Sequence, residues 1–132
     1  MATWADVERI ATSLPEVVES PSHNGWRSWK VKGKNVVWQR PLDAKDRRDV
    51  EALGREVPDG TIIGIRTRDL DTKDALIAEN PGVVFTIPHF DRYAAVLVRL
   101  DEIDVADLEE YVVEAWIFQA PTRVVTAWRA SR

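Results

Sequence analysis

The chain has no cysteine at all, and only two histidines and six glycines among its 132 residues. Without thiols there are no disulfides, no thiolate nucleophile and no cysteine-ligated zinc or iron–sulfur centre, a composition suited to a reducing cytoplasm. Long apolar runs are also missing. The longest, Ala94 to Val98, has five residues, against the roughly 20 that a bilayer-spanning helix needs, so no membrane association is expected. The first residues, Met-Ala-Thr-Trp-Ala-Asp, lack a basic region followed by an apolar one and do not read as a secretory signal. His23 and His89 stand 66 positions apart, and the acids of 69–74 lack the glycine and terminal Glu of a calcium loop. No metal site is expected. The few glycines form no phosphate-cradling loop, dinucleotide fingerprint or nucleophile elbow, so neither a cofactor nor a catalytic residue is assigned.

What is present is an ordinary globular composition, 45% hydrophobic and 30% charged, in a length that suits one domain over 1–132. Thr3 with Asp6 three residues on is a capping-box start. Val7, Ile10, Ala11 and Leu14 recur at helical spacing until Pro15. After an extended "EVVE" and the turn chemistry of 20–25, the period changes to two. Residues 26–32 and 35–40 read as a hairpin about Gly33, ended by Pro41. Asp43 caps a polar helix through about Leu53, closed by Gly54.

"TIIGIR" (61–66) is a strand that Gly60 and Gly64 bracket, and "TKDALIAEN" is a short helix capped by Asp71 or Thr72. "VVFTI" and "YAAVLVRL" are further strands. The second is apolar at both parities, as a strand covered on both faces is. Asp104 starts the longest helix, with an apolar stripe of Val105, Leu108, Val112, Ala115 and Trp116. Thr122 to Ala130 forms a last short helix, and Trp116 and Trp128 face inward. Strands in succession, flanked by helices, predict a two-layer α+β domain with an antiparallel sheet and helices packed on one face.

Several of these segments, "SLPEVVES", "WKVKGKNVVW", "PHFDRYAAVLVRLDEIDVADLEEYVVEAW" and "QAPTRVVTAW", stand in one order along nearly the whole chain. In that order, with Leu14-Pro15, Lys32-Gly33-Lys34, His89-Phe90 and Ala115-Trp116, the sequence resembles the MmcQ/YjbR-like family. The resemblance implies a small double-wing fold and a DNA-binding label. It carries no catalytic signature. The polar stretch 43–59 departs from the shorter family pattern.

Two groups of residues are candidate sites. Between Ser22 and Leu42 stand Arg27, Lys30, Lys32, Lys34 and Arg40 with no acid, although the net charge of the chain is −4. Cations with interleaved aromatics suit a single-stranded polyanion, with Trp26 as a stacking platform and the five cations as phosphate contacts. Alternation puts Trp26, Ser28, Lys30 and Lys32 on one side and Arg27, Trp29 and Val31 on the other. The competing reading is a solvated hairpin whose tryptophans pack the core. The seven acids between Asp101 and Glu114 concentrate the negative charge in one helix, and any nucleic-acid affinity is expected to be weak and salt-dependent.

The second group is His89, Asp91 and Tyr93, where residues 89 and 91 share a side of an extended chain. That arrangement gives a small pocket for proton transfer or a ligand, or else a histidine bonded to the backbone. A third function class is a protein-binding module that uses an open sheet face or edge. The expected function is a small cytoplasmic binding domain without catalysis. Its partner would be nucleic acid or, failing that, a protein.

Overall fold

Side-chain caps place the first three helices. In the computed structural model, which describes residues 1–22 and 24–132, Thr3 accepts from the amide of Asp6 while Asp6 accepts from the amide of Thr3, opening α1 (Trp4–Thr12). Asp43 and Asp46 repeat that exchange at the start of α2 (Ala44–Ala52). Helix α3 (Leu70–Glu79) starts earlier than the sequence suggested. Asp69, not Asp71 or Thr72, accepts from the amide of Thr72 and is the cap. Helices α4 (Val105–Ile117) and α5 (Thr122–Ala130) follow, divided at Pro121. No helix among the described residues is long and apolar enough to cross a membrane.

Among the described residues, six strands form one antiparallel sheet: β1 (Val18–Glu19), β2 (Ser28–Val31), β3 (Lys34–Gln39), β4 (Ile62–Arg66), β5 (Val84–Phe85) and β6 (Ala95–Arg99). Their order is β1-β2-β3-β4-β6-β5, so the last hairpin inserts β6 beside β4 and leaves β5 at the edge. The α+β class and the antiparallel sheet are those expected.

On one face lies the main core, where Trp29, Val37, Ile63, Ile65, Val96 and Val98 meet Val7 and Ile10 of α1 and Leu108, Val112 and Trp116 of α4. Trp116 donates its indole N–H to the Pro15 carbonyl at 3.0 Å, so a fully buried polar group is satisfied 101 residues away in sequence. Trp128 meets it edge to face, with ring centroids 5.0 Å apart. A smaller cluster lies on the other face: Trp38, Ile62, Ala95 and Leu97, covered by Leu42, Val50 of α2 and Phe90. The double-parity pattern of β6 has this origin, with Val96 and Val98 serving one cluster and Ala95 and Leu97 the other. Toward β1 and β2 this second face loses its cover.

Two local devices set the geometry of the hairpin. Its loop is two residues, Lys32 and Gly33, with φ of 53° and 74°, the left-handed pair that matches strand twist in a tight hairpin. On β3 the pairing then skips a residue. Trp29 faces Val37 and Lys30 faces Asn35, so Val36 is an unpaired bulge. Val36 and Val37 both join the helix-side core, while Trp38 turns to the second face.

Candidate functional site

Residues from two stretches predicted as separate sites line one groove on the uncovered end of the second sheet face. Trp26, Arg40 and His89 border a space of about 360 Å³, with Trp38 and Asn35 between them. Ser22, Asn24, Gln39 and Asp43 complete the wall. Sequence reasoning missed Trp38 and Asn35, because strict alternation puts positions 35 and 38 on opposite faces until the bulge is known. His23 lies outside the described residues.

Each wall has a physical reason for its position. Trp38 lies flat against β4 at Gly64, where an added Cβ would stand 2.5 Å from its Cε2 and 2.6 Å from its Cζ2. Gly64 therefore does more than bracket a strand: its missing side chain is the bed of the indole. Trp38 is left only 8% exposed. The Ser28 hydroxyl donates to Asn35 Oδ1 at 2.7 Å, and the Asn35 backbone carbonyl accepts from Gln119 in the turn after α4, fixing that residue across the sheet. Gln39 Oε1 accepts from the Arg27 amide.

Arg40 is held from below. Its Nη1 donates to the Pro41 carbonyl and, at 2.9 Å, to Asp46, whose side chain is almost wholly buried at the start of α2. Its guanidinium sits 5.3 Å from the centre of the Phe90 ring. Arg40 is thus a neutralised, packed group at the groove edge, and it differs in kind from the free phosphate contact predicted. A carboxylate that already accepts its N–H leaves it little net charge to offer. Asp43, the acid in the wall, is held below the usual carboxylate range by the backbone amide of Asp46.

Arg27 is a second correction. It lies on the opposite, helix side of the sheet, bonded to Glu19 at 2.7 Å with Glu8 at 3.7 Å, and its guanidinium rests 4.7 Å from the ring of Trp29 and 5.8 Å from that of Trp4. Hydrogen bonding to Glu19 raises the Arg27 pKa and lowers that of Glu19. It closes the end of the core and is not at the groove. Of the five hairpin cations, three remain without a carboxylate partner among the described residues: Lys30, Lys32 and Lys34. Lys30 pairs with Asn35 and so shares the groove face; Lys32 is in the turn; Lys34 pairs with Val31 and leaves the tip on the other side.

His89 is exposed in a 3₁₀ turn, Pro88–Phe90, and its ring centroid is 5.7 Å from that of Phe90. This chain is not extended, so the same-side argument for residues 89 and 91 fails. Asp91 instead adds its charge to the surroundings of Lys73. Tyr93 meets Phe90 edge-on at 5.4 Å and lies under Arg66 at 5.0 Å. The structure does not bring His89, Asp91 and Tyr93 together as one pocket. Lys73, buried to 3% exposure in α3, donates to the carbonyls of Phe90 and Tyr93 and fastens the turn. Desolvation lowers its pKa. Its partners lie 17 and 20 residues away, which no local pattern reveals.

The described residues thus form an α+β domain with a laterally open, mixed aromatic and polar groove. The chain belongs to the YjbR family, whose model matches residues 12–117. It is 50% identical, over 131 residues, to uncharacterised proteins of Mycobacterium tuberculosis and Mycobacterium bovis, covering 99% of this chain and 98% of theirs. Its fold is similar to that of a Deinococcus radiodurans protein with a DUF419 family domain, with a TM-score of 0.64, 18% identity, and coverage of 89% of this chain and 78% of that one.

Proposed function

We propose that the protein is a small cytosolic binding domain without catalysis, and that its ligand is a single-stranded nucleic acid. A base would enter the groove against Trp26, with phosphates on Lys30 and Lys32. The observation that carries this reading is the groove itself: two indoles, an imidazole and the carboxamides of Asn35 and Gln39 gathered on the face that Lys30 shares. Flat faces accept any base, carboxamides offer both a donor and an acceptor, and ammonium groups screen phosphate. A recessed site favours an unstacked base over a duplex, whose base faces are hidden. With Arg27 and Arg40 committed to carboxylates, the electrostatic contribution is small.

Fluorescence anisotropy of a labelled oligo-dT across a salt series tests the reading. Two to three phosphate contacts on single strands give a log–log slope near −1.5 to −2. Trp26→Ala should weaken binding by about tenfold, one stacked base contributing roughly 1–3 kcal/mol. No binding at about 20 mM salt, or equal binding of duplex with no effect of Trp26→Ala, overturns the reading.

A further inference from the structure

A second cavity, on the helix side of the sheet, sits between α3 and α4. It encloses about 140 Å³, and its walls differ in charge from end to end. Arg66 and Arg68 border it beside Phe118, their guanidiniums 5.9 and 5.8 Å from the ring centre. Neither has a carboxylate within ion-pair distance among the described residues; Arg66 makes one hydrogen bond, from Nε to the Ala94 carbonyl. Glu110 and Glu114 also line the space, and they too are without an ion-pair partner. Spacing of four residues sets Glu110, Glu114 and Phe118 on successive turns of one helix stripe, about 6 Å apart along its axis, with Glu114 one turn from the Phe118 end where the arginines lie.

Between the charged ends the wall is apolar, with Leu76 and Ala115. Tyr111, itself 3% exposed, contributes to this wall, and its hydroxyl lies by the Asn80 side chain. Two unpaired cations at one end, an unpaired carboxylate about one helical turn away and an apolar floor between them describe the complement of a zwitterion.

We propose that this cavity binds a free α-amino acid with a compact aliphatic side chain. The carboxylate lies on Arg66 and Arg68, the ammonium faces Glu114, and the side chain rests on Leu76, Ala115 and Phe118. The space of about 140 Å³ is of the order that holds one benzene-sized group, enough for a compact aliphatic side chain, while Arg68 and Glu114 stand at its exposed edge where the charged groups would lie. Guanidinium forks suit a carboxylate, and stacking on Phe118 fixes them in place. The site lies across the sheet from the tryptophan groove and is independent of the nucleic-acid reading.

The test uses the full chain and amide-resolved NMR titration with L-leucine, 4-methylpentanoate (no ammonium) and 3-methylbutylamine (no carboxylate). Leucine should give saturable shifts confined to residues 66–68, 72–76 and 110–118. Each analogue should bind at least about tenfold more weakly, as should leucine to Arg68→Gln and Glu114→Gln, since each change removes one charge-assisted contact. Arg68 and Glu114 are both exposed, so the variants keep the fold, which the unperturbed spectrum verifies. Absence of saturable shifts up to about 20 mM leucine overturns the proposal. So does equal binding of either analogue, or unchanged affinity in Arg68→Gln.

Discussion

Gly64→Ala isolates the support of the groove in one methyl group. The position has no left-handed φ, so alanine fits the backbone and in itself gains about 0.5–1 kcal/mol by restricting the unfolded chain. The methyl, however, would stand 2.5, 2.6 and 2.8 Å from Cε2, Cζ2 and Nε1 of Trp38, each about 1 Å inside ordinary contact. A flat indole has no free end to swing aside, and strand β4 is paired on both sides, so the ring must lift away from the sheet. Overpacking of this kind costs about 1–3 kcal/mol. Net destabilisation of about 1–2 kcal/mol follows, or roughly 3–10 °C in Tm for a chain of this length. Urea unfolding followed by circular dichroism should show a lower midpoint with an unchanged slope. The lifted ring also enters the groove, so oligonucleotide binding should fall with stability. A variant as stable as the parent, with intact groove resonances, refutes the account of why glycine stands there.

Two further outcomes follow from the turn and the tether. Lys32→Asn should stabilise the hairpin by about 0.5–1 kcal/mol, because asparagine tolerates the positive φ that lysine holds at 53°; a lower urea midpoint would contradict the assigned turn. Lys73→Met should destabilise by about 1–3 kcal/mol, by leaving the Phe90 and Tyr93 carbonyls without a donor. It should also remove a pH dependence. Burial depresses the Lys73 pKa below 10.5, so the folded state binds fewer protons than the unfolded chain in the window beneath that value, and parent stability rises with pH there. Urea midpoints at about pH 8 and pH 10 should diverge for the parent more than for the variant; parallel behaviour refutes the tether.

Helix ends were legible because capping is a local, three-residue pattern, and Thr3/Asp6 and Asp43/Asp46 both signal it in sequence. Asp69 was passed over since Asp71 and Thr72 offer equally good chemistry two and three residues on, and only the chain direction after β4 decides among them. The alternating pattern revealed the strands and assigned Arg27 and Trp26 to opposite faces. It could not reveal which cations were already taken. Asp46 reaches Arg40 only because a helix start folds back under the strand, and Glu19 reaches Arg27 only through sheet pairing. The groove joins residues 22–43 to residue 89, and a site made by tertiary proximity leaves no spacing to read.

The extra residue at Val36 acts like a frameshift in a code of two letters. Ahead of it on β3 the groove face falls at Asn35; beyond it, the face falls at Trp38, three residues on where alternation allows two or four. Deleting that one valine would leave every face as it is, with Asn35 and Trp38 toward the groove and Val37 toward the helices, because a strand without the bulge alternates strictly through those three residues. Losing both valines would turn the indole toward the helices; one of the two is spare.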